Sequence, residues 1–252
     1  MISLATYNIW NSEIGMPLRK QYLIDEIIKV SPDILCLQEV KNHSYAEYIA
    51  DKLDMNYFFS SYEGEEEGIC IFSKYDIKEA ISWMCEGNAQ YVSVDINHRK
   101  LGIVNLHLPW ENALLREKCI LAILDNLQEK ETDLVFLLGD FNCGDNSDVI
   151  RVLLGDCSLH GKVASLCFYD LGLAYAARQG ISVKDTLDFC TNPRFQGNSI
   201  EMNQRYDRIF LKNTYPKEFS QLLESDIFGT KVYEQIGLAA SDHYGVYAKL
   251  DI

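Results

Sequence analysis

One habit constrains this chain more than any other: short apolar runs of the buried-strand type repeatedly carry Asn, Asp, Glu or His at an end. Asn8 stands in "TYNIW", Glu39 in "LCLQEV", His107 in "VNLHLP", Asp140 and Asn142 in "FLLGDFN", Asp207 in "RYDRIF", and Asp242 with His243 in the closing "SDHYGVYAKLDI". Strand ends are where a rigid scaffold can aim side chains into a common cleft. Taken singly, each residue has an ordinary explanation. Asn8 reads as a turn residue, Glu39 as a charge leaving a strand and His107 as a satisfied core histidine, while Asp140 or Asn142 reads as a cap and Asp207 as a local ion pair with Arg205 and Arg208. Taken together they are hard to explain that way, because burying unpaired charge is costly. A convergence of Glu39, Asp140, Asp207 and Asp242 needs a cation or an imidazolium among them.

Between these runs the pattern alternates strand and amphipathic helix. "LRKQYLIDEIIKV" places Leu18, Tyr22, Leu23, Ile27 and Val30 near a 3.6-residue period, and "ENALLREKCILAILDNLQ" does the same with Leu114, Leu115, Cys119, Ala122, Ile123 and Leu127. "SYAEYIADKL" predicts a further helix. "NYFFSSY", "GICIFSK", "IKEAISWM", "QYVSVDIN" and "LGIVNLHL" predict short antiparallel strands. This order predicts an α/β (α+β) fold in which two sheets pack together with helices outside. No linker or repeat interrupts residues 1–252, so a single domain is expected. "EGEEEG", Glu63 to Gly68, reads as a solvated turn.

Composition narrows the function classes. A net charge of −14, from 23 Lys and Arg against 37 Asp and Glu, leaves little for the basic face that tight non-specific duplex binding needs. A small phosphoester or a nucleic-acid end stays compatible with it. No window approaches the roughly 18 apolar residues of a transmembrane helix, and the start "MISLATYNIW" lacks a signal-peptide pattern. Eight scattered cysteines without a C-x-x-C pair read as reduced thiols, so a cytoplasmic protein without a membrane partner is expected. Oxygen-rich ligands suit Mg²⁺, with Mn²⁺ as the alternative, better than zinc. P-loop, G-x-G-x-x-G, H-E-x-x-H and G-x-S-x-G patterns are absent.

The ordered series "TYNIW", "QEV", "EGICIFSKYDI", "NLHL", "GDFN", "RYDRIF" and "SDHYGV" resembles the endonuclease/exonuclease/phosphatase family, the deoxyribonuclease I-like metal-dependent phosphoesterases. The resemblance runs from residue 3 to about residue 250. It implies a four-layer α-β-β-α sandwich and Mg²⁺-dependent attack of water on a phosphoester. By the same resemblance, Glu39 is the principal metal ligand with Asn8 beside it, and Asp242 turns toward the metal. Asp140 and Asn142 position water and phosphate, His107 faces the phosphate, and Asp207 orients His243. Either His243 or Asp140 is then the general base.

Within the family, "TLDF", "RYDRIFLKN" and "SDHYGVYAKLDI" are closest in spacing to the 5′-tyrosyl-DNA phosphodiesterase branch, which implies a phosphodiesterase acting on 5′-phosphotyrosyl or nucleic-acid ends. That branch tends to carry Trp where this chain has Leu187. Trp110 is the candidate replacement for a stacking surface, with a packing role as its ordinary reading. Arg116, Arg194 and Arg205 are candidate phosphate contacts. The competing readings are a sphingomyelinase or inositol-phosphatase-like activity on a small phosphoester, and a non-catalytic binding protein of the same fold.

Overall fold

The computed structural model describes residues 1–84, 88–165 and 167–252; Cys85, one of the thiols expected to be reduced, lies outside them. The chain opens with β1 (Ile2–Asn8), α1 (Leu18–Val30), β2 (Ile34–Val40), α2 (His43–Leu53), β3 (Asn56–Ser61) and β4 (Gly68–Ser73). It continues through β5 (Ile77–Met84), β6 (Asn88–Ile96), β7 (Arg99–His107), α3 (Ala113–Gln128), β8 (Leu134–Asp140) and α4 (Asp148–Leu154). The last third holds β9 (Phe168–Asp170), α5 (Leu171–Gln179), β10 (Asp207–Lys212), β11 (Gln221–Phe228) and β12 (Gly245–Asp251).

These strands make two six-stranded mixed sheets, ordered β11-β12-β1-β2-β4-β3 and β5-β6-β7-β8-β10-β9. In each sheet the central pair is parallel, β1 with β2 and β7 with β8, and a helix crosses between them. The outer pairs are antiparallel. Ile2, Leu4, Cys36, Val92, Ile103 and Phe136 fill the space between the sheets. Leu23, Ile24 and Ile27 of α1 pack on the outer face of one sheet, and Ile120, Ile123 and Leu127 of α3 on the outer face of the other. This is the four-layer α-β-β-α sandwich, as expected. Each fully buried Leu, Ile or Phe side chain is worth about 1.5–3 kcal/mol, so layer packing rather than helix propensity holds the helices in place.

The buried stripes include Leu23 and Ile27 of α1 and Cys119, Ile123 and Leu127 of α3, as expected, and differ at their first turns. Leu18 and Leu114 are exposed, while Ile24 in α1 and Ile120, Leu121 and Leu124 in α3 are buried. Leu18 and Leu114 belong to the first turns of their helices, and periodicity alone does not say how far the buried face extends toward a helix end. "EGEEEG" is a turn exposed through Glu66, but Glu67 is half-buried and accepts from Asn11. None of the seven described cysteines forms a disulfide with another described residue, and Cys36, Cys70, Cys119 and Cys143 are buried.

A polar seam crosses the interior. Gln38 on β2 donates through Nε2 to Oδ1 of Asn105 on β7 at 2.7 Å, and Asn105 Nδ2 reaches the carbonyls of Leu37 and Cys70. Gln90 Nε2 donates to the carbonyls of Phe58 and Ile69. Buried amides with partners of this kind fix one register between the two sheets.

Candidate functional site

The strand ends converge on one edge of the sandwich. β1, β2, β7 and β8 deliver their C-terminal residues there, and antiparallel β10 delivers its first residue, with Asp207 opposite Asp140 and His107 opposite Asp140 in the ladders. Gly139 makes this edge compact. Its φ is 146°, and a Cβ there would meet the carbonyl oxygen of Leu106 at 1.9 Å. Only glycine fits.

Glu39 is re-aimed by an irregularity in the β2–β4 pairing between Leu37 and Val40, and its backbone is left-handed at φ 57°. Such strain costs on the order of 1–3 kcal/mol, and hydrogen bonds to the side chain help to offset it. Oε1 accepts from Asn8 Nδ2 at 2.9 Å, and Oε2 accepts from the Asn11 N–H at 3.0 Å. Asn8 Nδ2 also donates to Asp140 Oδ2 at 3.0 Å, so one amide spaces the two carboxylates. Asn8 Oδ1 takes the Trp10 N–H at 3.1 Å and keeps a second lone pair.

Asp140 is buried. Its Oδ1 accepts the Asn142 N–H at 2.8 Å, while Asn142 Nδ2 donates to the Leu108 carbonyl at 2.8 Å. His107 Nε2 lies 3.7 Å from Asp140 Oδ2, and its Nδ1 is 2.7 Å from the Tyr62 hydroxyl. Burial first, then the charge of Glu39, pushes that hydroxyl well above the ordinary tyrosine range, so Tyr62 keeps its proton.

His243 Nδ1 lies 2.8 Å from Asp207 Oδ2 and 3.9 Å from Asp140 Oδ2. Burial alone would lower the imidazole, but the Asp207 carboxylate outweighs it, with Asp140 and Asp242 adding to the effect. His243 is therefore held protonated well above the usual histidine range. Asp242 and His243 do not open the last strand as expected. β12 begins at Gly245, and Ser241 to Tyr244 form a turn in which Ser241 Oγ accepts the His243 N–H and donates to the Asn8 carbonyl. A serine-braced turn therefore separates the two side chains. Asn192 Nδ2 braces the same turn at the carbonyls of Ser241 and Asp242.

Burial pushes the Asp242 carboxyl up to about 6; His243 and Arg194 oppose the rise and the charge of Glu39 adds to it. Two carboxylates in mutual repulsion beside an amide oxygen make an all-oxygen donor set that fits a hard divalent cation. A second group, Asp140, Asp207 and His243, has its ligand atoms within 4.8 Å of one another. There the Nδ1–H of His243 already occupies Asp207.

The structure does not bring Arg205 to the cleft. It is buried and bound to Asp170 and Asp145 at 2.8 and 2.7 Å, and Arg208 reaches Asp145 at 2.6 Å from beneath the "GDFN" loop. These arginines therefore pair with Asp145 and Asp170, which leaves Asp207 to His243. Arg116 donates to the carbonyls of Pro109 and Trp110, at the rim. Arg194 is exposed and lies beside Asp242 and over the Trp10 ring. Trp110 is 75% exposed in the loop before α3 and packs against no core. Leu187 is buried and bridges to Gln204. Tyr62, Asn192 and Trp10 were not singled out from sequence for this edge, because each sits in a turn or at a strand boundary without a distinctive pattern. Proximity of Trp10 to Asn8 was the one available signal.

Solved structures share this architecture. TDP2 of D. rerio complexed with single strand DNA product is 18% identical and superposes with a TM-score of 0.80, covering 100% of this chain and 99% of that one. Truncated Caenorhabditis elegans TDP2 is 22% identical, with a TM-score of 0.77 and coverage of 100% and 98%. At these identities the likeness is one of fold. Among curated proteins, the probable CCR4-Not complex 3'-5'-exoribonuclease subunit Ccr4 of Vairimorpha ceranae (strain BRL01) is 26% identical over 228 residues, covering 68% of this chain. The chain spans about half the length of that relative, 47%. Residues 5–243 match the Endonuclease/Exonuclease/phosphatase family, and the chain belongs to that family of hydrolases acting on phosphoester bonds.

Proposed function

We propose that this chain is a divalent-cation-dependent phosphodiesterase that hydrolyses a phosphoester at a nucleic-acid end. The observation that carries the reading is the single edge where Glu39, Asn8 and Asp140 are hydrogen-bonded together and His243 pairs with Asp207 at 2.8 Å. Glu39, Asp242 and Asn8 would hold the cation, Mg²⁺ first and Mn²⁺ as the alternative. When bound, it would neutralise the non-bridging oxygens of the phosphate and help the leaving oxygen depart.

The protein groups divide the remaining work. Asp140, fixed by Asn8 and the Asn142 N–H, accepts the proton of the attacking water. His243 donates Nδ1–H to Asp207 and presents its other nitrogen to a phosphate oxygen, where His107 and Asn142 add hydrogen bonds. Arg194, exposed beside Asp242, and Arg116 at the rim are the phosphate cations at hand. The −14 charge opposes long duplex contacts and favours an end over a track. The named neighbours support this choice, one as a TDP2 solved with single strand DNA product and another as a probable exoribonuclease subunit.

The test is release of tyrosine from a 5′-phosphotyrosyl oligonucleotide, alongside bis(p-nitrophenyl) phosphate, with Mg²⁺ or Mn²⁺ and with EDTA and His243→Ala as controls. Tyrosine release lost in both controls supports the reading. Cleavage of the generic diester alone keeps the chemistry and removes the nucleic-acid end, and silence on both overturns the proposal.

A further inference from the structure

Beside the centre lies a cavity of about 360 Å³ that none of these roles uses. Trp10, Tyr45 and Met16 line it together with Lys20, Lys41, Glu13 and Glu39. An aromatic lining with a few charged groups, at this size, is the usual make-up of a small-ligand pocket.

Trp10 is fixed in place there. Its backbone is left-handed at φ 52°, its N–H is on Asn8, and the next N–H is on Glu39. The guanidinium of Arg19 lies over its ring at 4.5 Å, and the exposed guanidinium of Arg194 lies over it at 5.1 Å. Arg19 is fully buried and donates to the carbonyls of Ile9, Trp10, Ser12, Ile14 and Ala240. The indole is thus built into the same hydrogen-bonded frame as Glu39 and Asn8.

Lys20 supplies the second observation. In a chain with 37 acidic and 23 basic residues, its ammonium has no carboxylate partner among the described residues. It sits over the rings of Tyr48 at 3.3 Å and Tyr45 at 5.1 Å, whereas neighbouring Lys41 is paired with Glu13. A cation without an anion, in a cavity that also holds Trp10, Tyr45 and Glu39, matches a nucleotide better than a lone aromatic ring. A nucleotide brings a second phosphate, and a tyrosyl group does not.

We propose that this cavity is the subsite for the nucleotide next to the scissile phosphate, with its base stacked on Trp10 in place of the exposed Arg194 guanidinium and its far phosphate on Lys20. The inference rests on the phosphodiesterase reading above, and its test is an equilibrium one, independent of turnover. In a His243→Ala background with Mg²⁺, affinity is measured for a 5′-phosphorylated thymidine dinucleotide, for the same probe lacking the first base, and for phosphotyrosine. Trp10→Leu weakens the dinucleotide about tenfold or more, the loss disappears with the probe lacking the base, and Trp10→Phe recovers most of it. Lys20→Gln lowers the salt dependence of dinucleotide binding by about one phosphate contact, while Lys52→Gln does not. Equal losses on both nucleotide probes, an unchanged affinity in Trp10→Leu, or a loss confined to phosphotyrosine would each overturn the assignment. Dinucleotide binding with this pattern in a protein that fails the tyrosine-release and diester assays keeps the subsite and sinks only the hydrolytic reading.

Discussion

In β1–α1–β2 the loop leaving the first strand is pinned by buried Arg19, whose guanidinium holds five carbonyls, and Trp10 lies against that guanidinium. In β7–α3–β8 the matching arginine, Arg116, holds only the Pro109 and Trp110 carbonyls among the described residues, and Trp110 stands 75% in solvent. The strand ends differ as well. The first unit finishes in Asn8 and Glu39, an oxygen-rich end fit for a cation, and the second in His107 and Asp140, an end fit for moving a proton. On the proposed reading the same parallel unit supports two chemistries, and the loop that flanks the proposed cation end is the one locked in place.

The largest expected effect sharpens that division. Glu39→Gln and Asp140→Asn should each lower kcat/KM by about a thousandfold. The Mg²⁺ concentration for half-maximal activity should rise about tenfold or more in Glu39→Gln only. A parallel rise in Asp140→Asn would break the assignment of separate ends. Next comes stability: urea unfolding of Arg19→Met should show a loss of about 3 kcal/mol, since several buried carbonyls lose their donor, against about 1 kcal/mol for Arg116→Met. Equal losses would mean that the two loops are not pinned differently.

Acid should then separate the units. Beneath β8, burial would raise the Asp145 carboxyl, but Arg208 and Arg205 outweigh it and hold it below the ordinary aspartate range. A depressed folded value means that this stabilisation is present above the unfolded aspartate range and is lost as pH falls through the folded value. Asp145 is half exposed, so screening limits its worth to about 1 kcal/mol. Urea midpoints of Asp145→Asn should fall at pH 7 and approach the parent as the pH drops toward 3; a gap of equal size at both would remove the linkage. The smallest effect belongs to Trp110→Ala, expected within about 0.5 kcal/mol of the parent in the same unfolding assay.

Much of this was legible in the sequence because apolar runs ending in polar residues declare both a strand and its exit. Glu39, His107, Asp140 and Asp207 all lie at strand ends on the predicted edge. The sequence was silent where a partner arrives from far along the chain. Nothing local in "RYDRIF" says that Arg205 and Arg208 turn to Asp145 and Asp170, or that Tyr62 meets His107. The turn at Asp242 and His243 was misjudged as strand because "HYGVYAKLDI" alternates up to its first residue, while the bond from Ser241 to the Asn8 carbonyl is set by tertiary packing. α4, α5 and β11 escaped notice for a related reason. They are short or polar, and are defined by the sheets they lie against.

The bond between Gln38 and Asn105 joins one sheet to the other, one residue before Glu39 and two before His107. Neither sheet alone holds both ends at their working separation. Activity thus reports on docking: a chain with one sheet formed should have no partial activity, and catalysis in rising denaturant should vanish together with global structure in one cooperative step.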